Sequence, residues 1–411
     1  MENFLLDDGF KVSNNEGGPQ PEPDPEKVPL PITDRIDGVV VSHAHLDHSG
    51  NFPARFVNGK TLGYMTPLSL EISNLLWEDS VKISKNEGTY LDFDTQQIVE
   101  ANKNTFTMGY RKSLPVTDNL LLEFHDAGHI PGSAMPAFRT TTGKERSILY
   151  TGDFYVRDTN LLKGANIPKE QFDTLIIEST YADREHEERK KTEDTFLEDI
   201  EDVLSAGGTA LIASFAVGRT QELTEILERG KFGVPIYIDG MGRKASHIIS
   251  NYPEYVKDFG KMRKSLKKTT WIKHARMRPD AIRKPSIIIT TAGMLNGGPV
   301  LWYLKKLHKH PQSKLFLTGF QVPGTQGHRL MTEGKIEVDG TDLDVKMQFQ
   351  KYDFSAHAGQ SELHKTVKRV NPERLIAIHG DSANVEVFKE WAKKELGIEA
   401  HAPRLGEEIT I

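Results

Sequence analysis

Ser42-His43-Ala44-His45-Leu46-Asp47-His48-Ser49-Gly50 places three imidazoles and a carboxylate within six residues. The stretch follows Ile36 to Val41, an apolar run that reads as a buried strand. Nitrogen and oxygen donors of this kind are ligands for borderline divalent metals, zinc above all. Alternation along an extended chain puts His43 and His45 on one side, where they can grip one ion. A change of direction at Leu46 turns Asp47 and His48 toward a second. Four ligand-type residues so close together at a strand end are hard to explain as a chance polar loop.

The rest of the composition narrows what such a site can be. With 411 residues the chain holds more than one domain, or one domain with a large insertion. It contains no cysteine, so disulfides and thiolate ligands are excluded and any metal is bound by nitrogen and oxygen. No apolar run approaches the roughly 20 residues that span a bilayer. Met1 to Phe10 carries three acidic groups and no basic residue, unlike a secretory leader. The expected compartment is the cytoplasm. The net charge is −6 and does not point to nucleic acid, but the distribution is uneven. Lys257 to Lys284 holds eleven Lys/Arg against Asp258 and Asp280, whereas Asp183 to Asp202 holds ten acidic residues against four basic. A basic run is either the footprint of a polyanion or a solvated face.

Gly17 to Pro31 is rich in proline and acid and reads as a surface loop. Asn119–Phe124, Ser147–Tyr150 and Asp173–Glu178 read as strands, and Glu185–Leu204 as a helix opening a new unit. A regular alternation follows. Strands are expected at 209–214, 235–238, 286–291 and 314–318, with helices at 219–228, 243–250 and 299–310. This βα pattern implies a parallel sheet covered by helices, and hence an α/β fold. Arg374–His379 reads as a last strand and Asn384–Leu396 as a last helix. Three turns at strand ends, 215–219, 291–294 and 319–325, contain glycine and lead toward helices, as phosphate-binding turns do.

Two ions need more ligands than the first cluster offers. His129, Asp153 and His379 each lie just past a predicted strand, at equivalent ends. His43, His45 and His129 would hold one ion, and Asp47, His48 and His379 the other, with Asp153 bridging. Two such ions about 3.5–4 Å apart can clamp a hydroxide and stabilise an in-line displacement at phosphorus. Asp7 is expected to accept a hydrogen bond near the site. His357, also at a strand end, is left free to act as general acid, with Glu178 orienting its ring and raising its pKa. Asp7, Asp47, Glu178 and His357 are therefore the catalytic candidates.

At this point the chain resembles the metallo-β-lactamase fold and, within it, the β-CASP nucleases. His43 to His48 carries the broad superfamily signature. Glu178-Ser179-Thr180-Tyr181 resembles motif A, Phe354-Ser355-Ala356-His357-Ala358 motif B, and Ile378-His379-Gly380 motif C. Ser214 to Leu223 and Gly293 to Pro299 resemble internal signatures of the inserted domain. The pattern is closest to archaeal cleavage-and-polyadenylation-factor-like ribonucleases and RNase J relatives, over nearly the whole chain. The resemblance implies an αββα sandwich over 1–182 and 355–411, with a β-CASP domain inserted at 183–354. It implies two zinc ions, a bridging Asp153, an acid role for His357, single-stranded RNA as partner, and homodimers. The expected RNA or phosphate contacts are Ser214, Arg219, Gly293, Gly324, Thr325 and Ser355.

Two departures stand out. Met1 lies only six residues before Asp7, where relatives carry two strands. The expected consequence is an exposed sheet edge, so that an N-terminally extended chain melts higher; equal melting temperatures would count against this. His328 stands where relatives often have arginine. A DNA-processing nuclease would be expected to carry an apolar residue at His379. A dead RNA-binding paralogue would have lost ligands, and this chain keeps them. A small-molecule hydrolase has no need of the inserted domain. The leading expectation is a zinc-dependent ribonuclease, either an endonuclease or a 5′-exonuclease.

Overall fold

The computed structural model describes residues 2–10, 29–32, 35–57, 60–143 and 145–410. Most of the proline-rich stretch expected as a loop, Gly17 to Val28, lies outside them. The chain divides into two compact units. The first runs through Asp158 and takes in Lys163–Glu185 and everything from Ala356 onward. The second comprises Thr159–Leu162 and His186–Ser355.

Two sheets form the centre of the first unit. One is parallel, in the order Phe4–Leu6, Gly38–Val40, Leu62–Met65, Thr105–Thr107. The other has seven strands, in the order Glu399–His401, Arg374–Ile378, Thr174–Glu178, Ser147–Tyr150, Ala134–Thr140, Leu120–Asp126, Ser113–Thr117. Strand alternation explains the layering. Val39 and Val41 face Phe52, Phe56, Trp77 and Val81, on the helical side. Val40, between them, packs on Tyr64, Leu122, Phe124 and Phe138, between the sheets. On the far side Leu175, Ile177, Leu375 and Ala377 meet Leu363, Val367 and Phe388 of the helices Gln360–Val370 and Ser382–Trp391. Both faces of each sheet are therefore covered, which gives helix, sheet, sheet, helix. Among the described residues the strand Phe4–Leu6 pairs with Gly38–Val40 alone and is the last strand of its sheet.

The second unit is a six-stranded parallel sheet, in the order Thr269–Trp271, Ile236–Asp239, Ser286–Thr290, Thr209–Ala213, Lys314–Leu317, Gln348–Lys351. Its central strands are buried throughout and apolar in their middle positions, as burial on both faces requires. The helix expected from Glu185 begins at Arg189 and runs to Ser205. Sequence periodicity left several elements unassigned. They include the helix Pro67–Glu87, whose register is set by Thr66 capping its first turn and by Trp77 donating from Nε1 to the Ser49 carbonyl at 2.8 Å. The edge strand Gln348–Lys351 and the hairpin Lys335–Val338/Thr341–Asp344 are polar and short, so alternation does not reveal them.

Candidate metal centre

Register brings the site residues together. Ile176 pairs with Tyr150 and Glu178 with Ile378, so three neighbouring parallel strands end level. The residues just past those ends are Asp153, Ser179-Thr180 and His379. The turn from Leu120–Asp126 into Ala134–Thr140 carries His129, and the Ala134 amide donates to the Ser42 carbonyl at 2.8 Å, joining the two sheets there. At Leu46 the chain turns into the short helix Leu46–Ser49, which redirects Asp47 and His48. Asp7 and His379 both adopt left-handed backbone, with φ of 62° and 51°. Such a conformation costs a non-glycine residue on the order of 1 kcal/mol, a strain found at functional sites.

The ligand-type atoms fall into two groups, His43/His45/His129/Asp153 and Asp47/His48/His379. His43 Nε2 and His129 Nε2 lie 3.1 and 3.2 Å from His45 Nδ1. Asp153 stands between the groups. Its Oδ2 is 3.3 Å from His48 Nε2, 3.6 Å from His43 Nε2 and 3.7 Å from His129 Nε2, and its Oδ1 is 3.3 Å from His379 Nδ1. His48 Nε2 and Asp153 Oδ1 are buried and have no hydrogen-bond partner. Leaving such atoms unsatisfied costs about 1–3 kcal/mol each, and here they converge with further nitrogen lone pairs. A divalent cation that accepts nitrogen and oxygen ligands fits this set.

The outward side of each ring is held. Asp7 Oδ2 accepts from His48 Nδ1 at 2.6 Å, from the Ser42 hydroxyl at 2.7 Å and from the Tyr150 hydroxyl at 2.6 Å, while Oδ1 accepts the Ser42 amide at 2.6 Å. The same Ser42 hydroxyl is 3.0 Å from His43 Nδ1. One carboxylate therefore orients a ring in each group, directly for His48 and through Ser42 for His43. His129 Nδ1 lies 2.8 Å from the Ala356 carbonyl, so Nδ1 carries the proton and Nε2 the lone pair. Burial holds His43 and His129 well below the ordinary imidazole pKa, which keeps them neutral. Burial would do the same to His48, but Asp153, Asp7 and Asp47 outweigh it and raise its pKa.

A third group is Asp153, Glu178 and His357. Glu178 is 1% exposed and accepts from His357 Nδ1 at 2.9 Å, from the Phe154 amide at 2.9 Å and from the Thr180 hydroxyl at 2.6 Å. His357 Nε2 faces Asp153 Oδ2 at 3.9 Å. Burial alone would lower the pKa of this ring, but Glu178 and Asp153 push it up to about 9. With Nδ1 held by Glu178, Nε2 faces the metal candidates. Sequence reasoning did not find Ser42, Tyr150 or Thr180. Their signal is position alone, since each is at or beside a strand end next to a residue that was found.

In the second unit the expected contacts have other partners. Ser214, Gly293 and the 319–325 turn do come together: Gly293 packs against the Phe215 amide, and Gln321 Nε2 donates to the carbonyls of Gly293 and Gly319, both at 3.1 Å. The helix that starts beyond Gly324 and Thr325, however, has its first amides engaged. Gln326 donates to Asn296 Oδ1 at 2.9 Å, Gly327 to the Met294 carbonyl at 2.9 Å and His328 to Thr325 Oγ1 at 3.2 Å. Arg219 is 9% exposed and pairs with Glu222, which also pairs with Arg189. The Ser355 carbonyl accepts from Arg189 Nη1 at 3.2 Å. Much of the basic run is likewise paired: Lys261 with Glu225, Lys264 and Lys268 with Glu228, and Arg278 with buried Asp239. Those four charges serve helix packing and local ion pairs.

Comparison with known proteins gives two family matches. Residues 220–330 match the Beta-Casp domain, and residues 342–403 match the Zn-dependent metallo-hydrolase RNA specificity domain. A probable RNase of Methanocaldococcus jannaschii is 39% identical over 99% of this chain and 94% of its own length. RNase aCSPSF2 of Saccharolobus solfataricus is 32% identical over 92% of this chain and 75% of its own. Transcription termination factor FttA of Pyrococcus horikoshii is 33% identical over 90% of this chain and 60% of its own. Among solved structures, a protein of unknown function from Enterococcus faecalis superposes with a TM-score of 0.60 at 14% identity, over 99% of this chain and 94% of that one. At that identity the likeness concerns the fold.

Proposed function

This chain belongs to the β-CASP family of metallo-hydrolases, and we propose that it is a two-zinc ribonuclease that cuts single-stranded RNA internally. The observation that carries the reading is the environment of Asp153. Its two oxygens stand within 3.9 Å of five imidazoles, and one oxygen is buried without a partner. His43, His45 and His129 would hold one ion, Asp47, His48 and His379 the other, and Asp153 would serve both. When bound, the ions supply Lewis acidity toward phosphoryl oxygens and a nucleophile at neutral pH.

The protein's own groups do the rest. Asp7 keeps a proton on His48 Nδ1 and, through Ser42, one on His43 Nδ1, so that each Nε2 presents its lone pair. Glu178 fixes the ring of His357, whose Nε2–H delivers a proton to the leaving oxygen. Internal cutting is favoured over a 5′-exonuclease because the amides beyond Gly324 and Thr325 are engaged within the protein, which leaves that turn poorly suited to a terminal phosphate.

The test uses zinc-loaded protein and one RNA labelled at its 3′ end, carrying a 5′-triphosphate, 5′-monophosphate or 5′-hydroxyl, with Asp153→Ala as control. Internal fragments independent of the 5′ group are expected, and none from the variant. Progressive shortening from the 5′ end, fastest with monophosphate, would replace this reading with an RNase J-like exonuclease.

A further inference from the structure

In the second unit, ligands of an open parallel sheet are expected at the carboxyl ends of its strands. Most polar groups there are satisfied internally, but one feature is not accounted for by packing. Phe320, in the turn after the strand Lys314–Leu317, is 40% exposed. Among the described residues of this unit, Phe320 and Met331 are the large apolar side chains left exposed, and Phe320 is the aromatic one.

The turn that carries the ring is pinned on both sides. Gln321, 4% exposed, donates to the carbonyls of Gly293 and Gly319. Gly319 lies so close on the Phe215 ring that a Cβ there would collide with it. The ring is thus held outward by a rigid frame. Lys351 pairs in register with Leu317 at the end of the edge strand, and its Nζ lies 5.5 Å from the Phe320 centroid. Among the described residues no carboxylate lies within ion-pairing distance of that ammonium, in contrast to Lys261, Lys264 and Lys268. An exposed aromatic face on a pinned turn, beside a cation with no carboxylate in contact, has the two elements of a single-strand binding platform: a surface for a base to stack on and a charge for the adjoining phosphate.

We infer that Phe320 and Lys351 form a subsite in the second unit that stacks one nucleobase of the RNA and meets its phosphate. This inference rests on the ribonuclease reading for the identity of its ligand. Stacking does not discriminate among bases, so the subsite would set affinity and path without specifying sequence.

The test measures binding of a fluorescein-labelled single-stranded RNA by anisotropy, in chelator, so that cleavage does not interfere. Phe320→Ala is expected to weaken binding by about 5- to 100-fold and Phe320→Trp to restore it. Lys351→Gln is expected to weaken binding less and to flatten its dependence on salt. The melting temperature of Phe320→Trp should match the wild type, and that of Phe320→Ala should fall only slightly, because 40% of the side chain is exposed. An RNA with single abasic positions adds the decisive cycle: one position should weaken binding to the wild type and have no further effect on Phe320→Ala. Equal binding by wild type and Phe320→Ala overturns the subsite. Binding that responds to Phe320 in a protein that cuts no RNA when zinc-loaded overturns the ribonuclease reading and leaves the subsite standing.

Discussion

The two units each gather polar side chains at the carboxyl ends of parallel strands, and they do so to opposite effect. At the metal centre the polar atoms converge without satisfying one another. His48 Nε2 and Asp153 Oδ1 are buried and unpartnered, while every outward ring nitrogen named above is tied down. In the second unit the glycine turns meet just as closely, and their helix-starting amides and guanidinium groups pair within the protein, while Gln221 Oε1 and Gln321 Oε1 are buried without a hydrogen-bond partner. What sets the metal centre apart is that its unpartnered imidazole nitrogen and carboxylate oxygen lie together with further ligand-type atoms. Motif-like spacing occurs in both, so it is the convergence of ligand-type atoms that separates a ligand site from a structural corner.

The comparison can be broken at several points. The largest effect is expected from His357→Ala. Loss of the acid should lower RNA cleavage by about 100- to 10,000-fold with metal content unchanged by elemental analysis. A variant that keeps full turnover would return His357 to a structural role. Next is Glu222→Ala, which removes the carboxylate shared by Arg189 and Arg219 in the interior of the second unit. About 1–3 kcal/mol of stability should be lost, read by denaturant unfolding, with the zinc stoichiometry retained. If zinc were lost as well, the two regions would be coupled, contrary to the contrast drawn here. Asp7→Asn should cost about 10- to 100-fold in zinc affinity, measured by competition with a chelator, because His48 and Ser42 lose their common acceptor. Unchanged affinity would mean that packing alone orients the rings.

The smallest effect concerns pH. Burial outweighs Lys261 and raises the Glu225 carboxyl to about 7, from an ordinary value near 4.5. A raised carboxylate pKa favours the protonated form in the folded state. Its contribution is complete below about pH 4.5 and is lost as pH rises through about 7. Glu225→Gln should therefore flatten the stability profile between those values. A slope identical to that of the wild type would show that Glu225 titrates normally.

Much of this was legible in the sequence, because the informative pieces were local. His43 to His48 lie on one strand end and one helical turn, so their geometry follows from strand alternation and a single change of direction. The alternation from Thr209 to Leu317 declared a parallel sheet because strands buried on both faces carry short continuous apolar runs. The unassigned helix Pro67–Glu87 and edge strand Gln348–Lys351 show the other side. One has its register set by contacts across the fold, and the other pairs on one side only, so neither carries a strong periodic pattern of its own.

The sequence by itself therefore determined the kinds of groups available, namely nitrogen and oxygen donors without thiols, and the strand ends that carry them. Only the tertiary structure decided which of them meet. Glu178 and His357, 179 positions apart, are brought together by the Glu178–Ile378 register and the packing of the helix Gln360–Val370, and they end at 2.9 Å. It likewise decided that Tyr150 and Ser42 share Asp7, that Arg219 turns to Glu222, and that Phe320 remains outside. Each of these is a pairing between distant segments, and pairing is fixed by how buried faces stack rather than by the local order of residues.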